Sequence, residues 1–144
     1  MALSPLIFVF APARASLHRG WWREEHMAEK DELGRRGEVV AAKWLEAAGC
    51  VVLQRNWRCR AGEIDLVVRE GAATVFVEVK TRTSVAYGHP FEAITAAKRA
   101  RLRRLVAEWC QANGPVSGAI RIDAVAVIDA WSSEPAIEHL RGVA

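Results

Sequence analysis

Residues 62–82 read GEIDLVVREGAATVFVEVKTR and place charged residues inside two runs of β-forming residues. Residues 64–68 and 75–79 are rich in Val, Ile and Phe, and Gly71 lies in the short polar break between them. Two β-branched runs separated by a short break that contains glycine predict an antiparallel hairpin.

The register of this hairpin decides which charges meet. A turn centred on residues 71–72 places Asp65 opposite Glu78, and Glu63 opposite Lys80. Side chains alternate along a strand, so all four share one face of the hairpin. Directly opposed Cβ atoms lie roughly 4.5–5.5 Å apart, so the facing carboxylates repel one another unless a cation lies between them.

The composition is that of an ordinary soluble domain. The chain has 144 residues, 51% apolar and 26% charged, with a net charge of +3 that permits a polyanionic partner without requiring one. Its three cysteines, Cys50, Cys59 and Cys110, show no CxxC spacing, which predicts free thiols in a reducing compartment such as the cytoplasm. No apolar run approaches the ~20 residues of a membrane span.

The N-terminal residues differ from the rest of the chain. We expect residues 1–27 to form a poorly ordered extension, with Met27 as an alternative start, and residues 28–144 to form a single domain. A short apolar run at residues 6–10 follows no Lys or Arg, which argues against a secretory signal. A tail that binds a membrane surface or a partner is the alternative.

Two long helices follow from apolar periodicity. Residues 31–48 carry an apolar stripe, with Asp31 in the cap region and Glu38 at the edge of the stripe. Glu38 is therefore either an exposed edge glutamate or a member of a site. Residues 91–113 form the second predicted helix, which packs through Ile94, Leu102, Leu105, Val106 and Trp109.

The second helix is also strongly basic. Residues 98–104 contain five cations, which repel one another unless a polyanion or the carboxylate cluster lies nearby. A basic run at residues 55–60 contains Trp57. Arginines interleaved with an aromatic residue are typical of a surface that contacts phosphates and stacks on bases. The alternative is an ordinary solvated loop with one anchoring Trp.

The remaining strands complete an α/β domain. Residues 50–56 and 119–128 are predicted strands, and residues 137–140 a short edge strand. The helix before residues 119–128 is long enough for a crossover, which implies a parallel pair. The expected fold is a mixed β-sheet flanked by two main helices, in the order α-β-β-β-α-β.

The charged face of the hairpin suits metal-dependent phosphodiester chemistry. Asp65 and Glu78, with the carbonyl of Val79 and waters, form a hard oxygen donor set that favours Mg²⁺ or Mn²⁺. Lys80 on the same face is placed to orient water or to neutralise charge on a phosphate, and Glu38 to complete the donor set. The alternative is a structural cluster in which Lys80 pairs with Glu63.

Several of these segments together resemble a known family. The GEIDL run at residues 62–66 followed by FVEVKTR at residues 76–82 resembles the YraN-like family of small bacterial proteins. That family belongs to the restriction-endonuclease-like PD-(D/E)xK superfamily, near the archaeal Holliday-junction resolvases. Gly37-Glu38, the RNWR run at residues 55–58, Lys98, Arg101-Leu102 and the RID run at residues 121–123 also fit. The proline that names the superfamily motif is replaced by Ile64.

The resemblance implies a nuclease-like fold and site more firmly than a substrate. The first hypothesis for function is a DNA nuclease that depends on Mg²⁺ or Mn²⁺ and acts on branched or damaged DNA. The resemblance implies catalytic roles for Glu38, Asp65, Glu78 and Lys80, with the three carboxylates as metal ligands. Enzymes that cut branched DNA often need two active sites, so a homodimer is a further expectation. A module that binds nucleic acid or a protein partner without catalysis is the alternative. The residues expected to contact nucleic acid are Arg55, Trp57, Arg58, Arg82, Lys98, Arg101 and Arg104.

Overall fold

A computed structural model of the chain describes residues 15–144, with side chains from residue 23 onward. Residues 32–144 form one compact unit, and Asp31 is the last residue of a separate unit that precedes it. Predictions made for residues 1–14 lie outside the described residues. The described elements are α1 (Ala15–Ala47), β1 (Val51–Cys59), β2 (Gly62–Glu70), β3 (Ala73–Arg82), α2 (Ala96–Asn113), β4 (Ile120–Ile128) and β5 (Ala136–Leu140), with a short 3₁₀ helix at Pro90–Ala93 before α2.

The sheet is mixed, as predicted. Its strand order is β1-β2-β3-β4-β5. Neighbouring strands are antiparallel except for β3 and β4, which run parallel and are joined by the crossover through α2. The predicted α-β-β-β-α-β order and the edge strand near residues 137–140 are confirmed, and the architecture is that of the restriction-endonuclease-like fold.

Two hydrophobic cores lie on opposite faces of the sheet. On one face, α1 packs through Ala41, Ala42 and Leu45 against valines of β2, β3 and β4. On the other face, α2 packs through the predicted residues Leu102, Leu105, Val106 and Trp109, with Ile94 just before the helix. The sheet is therefore covered on both faces, which explains why β4 is buried on both sides.

The hairpin register is confirmed over its paired length. The β2–β3 ladder runs from Glu70 opposite Ala73 to Leu66 opposite Val77. The next position along this register is Asp65 opposite Glu78. There, Asp65 Oδ2 accepts a hydrogen bond from Val79 N at 2.8 Å, so a side chain occupies the position of a ladder bond.

Three predicted boundaries are wrong. The first helix begins at Ala15 instead of residue 31, so Asp31 lies inside it. Residues 23–31 lack an apolar stripe, but they are mostly good helix formers that extend a helix without periodicity. The first predicted strand, residues 50–56, ends too early, because β1 continues to Cys59 with Asn56 at a positive φ of 49°. The second helix begins at Ala96 instead of residue 91, because the side chain of Thr95 caps its N-terminus.

Among the described residues, no helix is both long enough and apolar enough to cross a membrane. Cys50 is buried, Cys59 and Cys110 are half-buried, and all three are free thiols, as predicted.

Candidate active site

The centre of the site is a pair of buried carboxylates on β2 and β3. Asp65 is 7% exposed and Glu78 is 5% exposed. Each lies within a strand whose neighbouring residues are apolar and buried. Burying a carboxylate is costly without compensation, so this placement calls for a partner charge or a function.

Asp65 is poorly compensated. Its burial, with repulsion from Glu78 as the next cause, raises its pKa from 3.8 to about 7, although the backbone N–H of Val79 opposes the shift. Glu38 and Glu63 add further repulsion. Burial and the neighbouring carboxylates therefore disfavour the charged form of Asp65.

Glu78 is compensated by two lysines. Its Oε1 atom lies 2.9 Å from Lys80 Nζ, on the same strand, and 2.9 Å from Lys98 Nζ, in the first turn of α2. The alternative pairing of Lys80 with Glu63 is not observed, because Glu63 pairs with Arg58 at 3.0 Å.

Glu38 reaches the site from α1 and is half-buried, as its place beside the apolar stripe predicts. Burial raises its pKa, a hydrogen bond with the Asn56 side chain lowers it, and the charges of Glu63 and Glu78 raise it again. Because the charge of Glu78 raises the pKa of Glu38, Glu38 lies close enough to interact electrostatically with the carboxylate pair.

Gly37 allows α1 to approach β3 closely. A Cβ atom added at this position would lie 1.8 Å from the side-chain oxygen of Thr81, which is far inside contact distance. The adjacent Glu38 therefore depends on a residue without a side chain to reach the site. The Gly-Glu pair in an otherwise amphipathic helix is the sequence signal for this close approach.

The donor set has the chemistry for a hard divalent cation. Mg²⁺ is commonly held by one or two carboxylates together with water and substrate phosphates, so Asp65 and Glu78 suffice. Within residues 23–144, however, no three His, Cys, Asp or Glu side chains lie close enough together to bind one ion. Glu38 is thus near the pair without forming a three-carboxylate cage with it.

The predicted nucleic-acid contacts lie in different environments. Arg55 pairs with Glu46 at 3.4 Å. Trp57 packs half-buried against the α2-side core, and its predicted contact with nucleic acid stays a prediction. Arg101 lies against the backbone at Gly62, where an added Cβ would be 2.6 Å from its guanidinium. Arg58, Arg82 and Arg104 are exposed and keep their predicted role as a prediction.

A second buried carboxylate was not assigned a role from sequence. Asp123 on β4 is fully buried and accepts hydrogen bonds from Arg121, His139 and the backbone N–H of Gly142. Burial alone would raise its pKa, but these hydrogen bonds, led by Arg121, hold the pKa below the usual range. The spacing of Arg121 and Asp123, two residues apart on one face of a strand, is the signal that identifies the pair.

A family model described as "Uncharacterised protein family UPF0102" matches residues 37–127, which contain Glu38, Asp65, Glu78, Lys80 and Lys98. The chain belongs to the UPF0102 family. The YraN-like resemblance is thereby confirmed. A UPF0102 protein of Leifsonia xyli is 64% identical over 117 residues, covering 81% of this chain and 99% of the relative. UPF0102 proteins of Beutenbergia cavernae and of an Arthrobacter species are 54% and 53% identical over the same shares of the two chains.

Proposed function

We propose that this UPF0102 protein is a metal-dependent nuclease that hydrolyses DNA phosphodiester bonds, with a preference for branched or damaged DNA. The observation that carries the proposal is the buried Asp65–Glu78 pair beside Lys80. A soluble domain gains no stability from an under-compensated carboxylate in a strand interior, whereas a cation site needs one.

The carboxylates and the lysine of the site have different proposed roles. Asp65 and Glu78 would hold Mg²⁺ or Mn²⁺, and Glu38 would bind a water of its outer shell or join the donor set. When bound, such an ion would polarise the phosphodiester and make water more acidic. Lys80, whose side chain is 21% exposed, would donate hydrogen bonds to a phosphate oxygen and neutralise the charge that develops there.

The exposed arginines of α2 supply a surface for the DNA backbone. Arg99, Arg103 and Arg104 are exposed on the helix that also presents Lys98 to Glu78. DNA binding through them should weaken steeply with salt, because each phosphate contact releases counterions. The free cysteines agree with a cytoplasmic protein, where such a nuclease would meet DNA.

The experiment is a cleavage assay with Mg²⁺ and Mn²⁺ on branched, single-stranded and duplex DNA. We expect wild type to cleave at least one of these substrates and Asp65→Ala to cleave none. Glu63→Gln is the matched control, because Glu63 is an exposed carboxylate of the same strand and pairs with Arg58. Equal cleavage by wild type and Asp65→Ala would contradict the proposal.

A second function is a module that binds nucleic acid or a protein partner without catalysis. The observation that favours it is the pairing of Glu78 with two lysines, which neutralises one of the two central carboxylates. It predicts DNA binding that is sensitive to salt, persists in EDTA, and is never accompanied by cleavage.

A further inference from the structure

Lys98 differs from the other cations of α2. Its side chain is 23% exposed, whereas Arg99, Arg101, Arg103 and Arg104 are exposed. The Thr95 side chain accepts a hydrogen bond from Lys98 N at 3.2 Å, which fixes Lys98 in the first turn of the helix. A cation is unfavourable in the first turn, where the helix dipole is positive, so stability of the helix does not explain this position.

The contact of Lys98 with the site explains the position. Lys98 Nζ and Lys80 Nζ both lie 2.9 Å from the same oxygen, Oε1 of Glu78. Two ammonium groups at one oxygen repel each other, and Lys80 alone would already neutralise one carboxylate. The second ammonium therefore adds a positive charge where the Asp65–Glu78 pair would receive a cation.

We propose that Lys98 is a positioning residue, a removable counter-ion that holds Glu78 and competes with the divalent cation for it. The inference rests on the metal-binding part of the proposed function. A divalent ion that binds Glu78 Oε1 must displace at least one of the two ammonium groups. Lys98 comes from α2, whereas Lys80 shares the strand β3 with Glu78, so withdrawal of the Lys98 ammonium group would leave the β3 pair in place.

The competition also predicts how a cation and DNA would act together. A phosphate at the site would accept the displaced ammonium, so the cation and the phosphate would each favour binding of the other. Lys98 would thereby keep the affinity for the cation low until a phosphodiester is present.

The test is calorimetric titration of the full-length protein with Mn²⁺ alone, at fixed pH and ionic strength. We expect Lys98→Gln to bind Mn²⁺ at least about threefold more tightly than wild type, because a positive charge that opposes the ion is removed from a site with little solvent. Lys98→Arg keeps the charge and should bind Mn²⁺ no more tightly than wild type. Arg103→Gln removes an exposed charge from the same helix and should leave the affinity unchanged, because solvent and salt screen exposed charges.

The outcomes separate this inference from the proposed function. Equal or weaker Mn²⁺ binding by folded Lys98→Gln, with binding by wild type, would overturn the role of Lys98 and leave the nuclease proposal intact. Binding by Lys98→Gln but not by wild type would support the role of Lys98 in its strongest form. No Mn²⁺ binding by either protein would overturn the inference and metal dependence together, and circular dichroism establishes that the variants are folded.

Discussion

Asp65 and Asp123 are both buried aspartates within one sheet, but they are compensated in opposite ways. Asp123 accepts hydrogen bonds from a guanidinium, an imidazole and a backbone N–H. Asp65 accepts one from a backbone N–H and is repelled by neighbouring carboxylates. The pKa of Asp123 is accordingly lowered, and that of Asp65 is raised to about 7.

The difference separates a carboxylate that is compensated within the protein from one that is not. The Asp123 network ties β4 to β5 and to the C-terminal residues, since His139, Gly142 and the Arg141–Glu70 pair belong to it or adjoin it. Its charges are matched within the protein, so it needs no further ligand. Asp65 accepts a single backbone hydrogen bond and is repelled by Glu78, Glu38 and Glu63, and this lack of compensation is the physical reason to expect a cation there.

The largest effect on stability should come from Asp123→Asn. The substitution leaves Arg121 and His139 without their shared buried counter-charge, so we expect a loss of about 3 kcal/mol in the free energy of unfolding. Urea denaturation at pH 7 measures it. A loss close to zero would show that the network is not the structural counterpart described above.

Asp65→Asn should change the free energy of unfolding in the opposite direction to Asp123→Asn. A raised pKa means that the folded protein holds the Asp65 proton more tightly than the unfolded chain does. The tighter proton binding stabilises the folded protein. This stabilisation is fully present below the pKa of Asp65 in the unfolded chain, near 3.8, and is lost as the pH rises through its pKa in the folded protein, about 7.

Above a pH of about 7 the folded wild type must hold a charged, buried carboxylate at Asp65, which lowers its stability. Asp65→Asn removes this cost, and the Asn side chain can still accept the hydrogen bond from Val79 N. In EDTA at pH 8 we therefore expect it to be more stable than wild type, a gain that shrinks toward pH 4. Urea denaturation at both pH values measures the difference. A variant less stable than wild type at pH 8 would contradict the assignment of Asp65 as under-compensated.

Binding of Mn²⁺ should have a smaller effect on the stability of the folded protein. Mn²⁺ at tenfold its dissociation constant should stabilise wild type by about 1.4 kcal/mol, because it binds only the folded state. The response should be lost in Asp65→Asn and kept in Asp123→Asn. Thermal melts with and without Mn²⁺ check this, and an equal response in all three proteins would place the ion elsewhere.

The smallest effect should come from Glu63→Gln. The Glu63–Arg58 pair is solvent-exposed on both sides, at 45% and 76%, and such pairs contribute about 0–1 kcal/mol. We expect urea denaturation to show a change below about 1 kcal/mol, since the carboxylate is screened by water. A larger loss would place Glu63 in the site as a full member.

Much of the fold follows from local patterns in the sequence. The hairpin register comes from the turn at residues 71–72, and the parallel β3–β4 pair from the length of the crossover helix. The α2 core residues follow from helical spacing. These features depend on near neighbours in the chain, so one sequence is enough to predict them.

The site was predicted only in part, because its remaining contacts join distant segments. The alternation of β2 and β3 brings Asp65, Glu78 and Lys80 to one face, but no local pattern shows that Lys98 reaches Glu78 from another element. The bond between Asn56 and Glu38, and the closure of Asp123 by His139 and Gly142, likewise depend on tertiary packing. The helix start at Ala15 was missed because no apolar stripe marks it.

Cleavage and stability, measured together for the two aspartate variants, test whether the buried Asp65–Glu78 pair is a nuclease site. With Mn²⁺ at pH 8, below the melting temperatures of all proteins, DNA cleavage is followed for wild type, Asp65→Asn and Asp123→Asn. We expect Asp65→Asn to be more stable than wild type but not to cleave, and Asp123→Asn to be less stable but still to cleave. Cleavage by Asp65→Asn at the wild-type rate would contradict the central claim that this buried pair is a nuclease site.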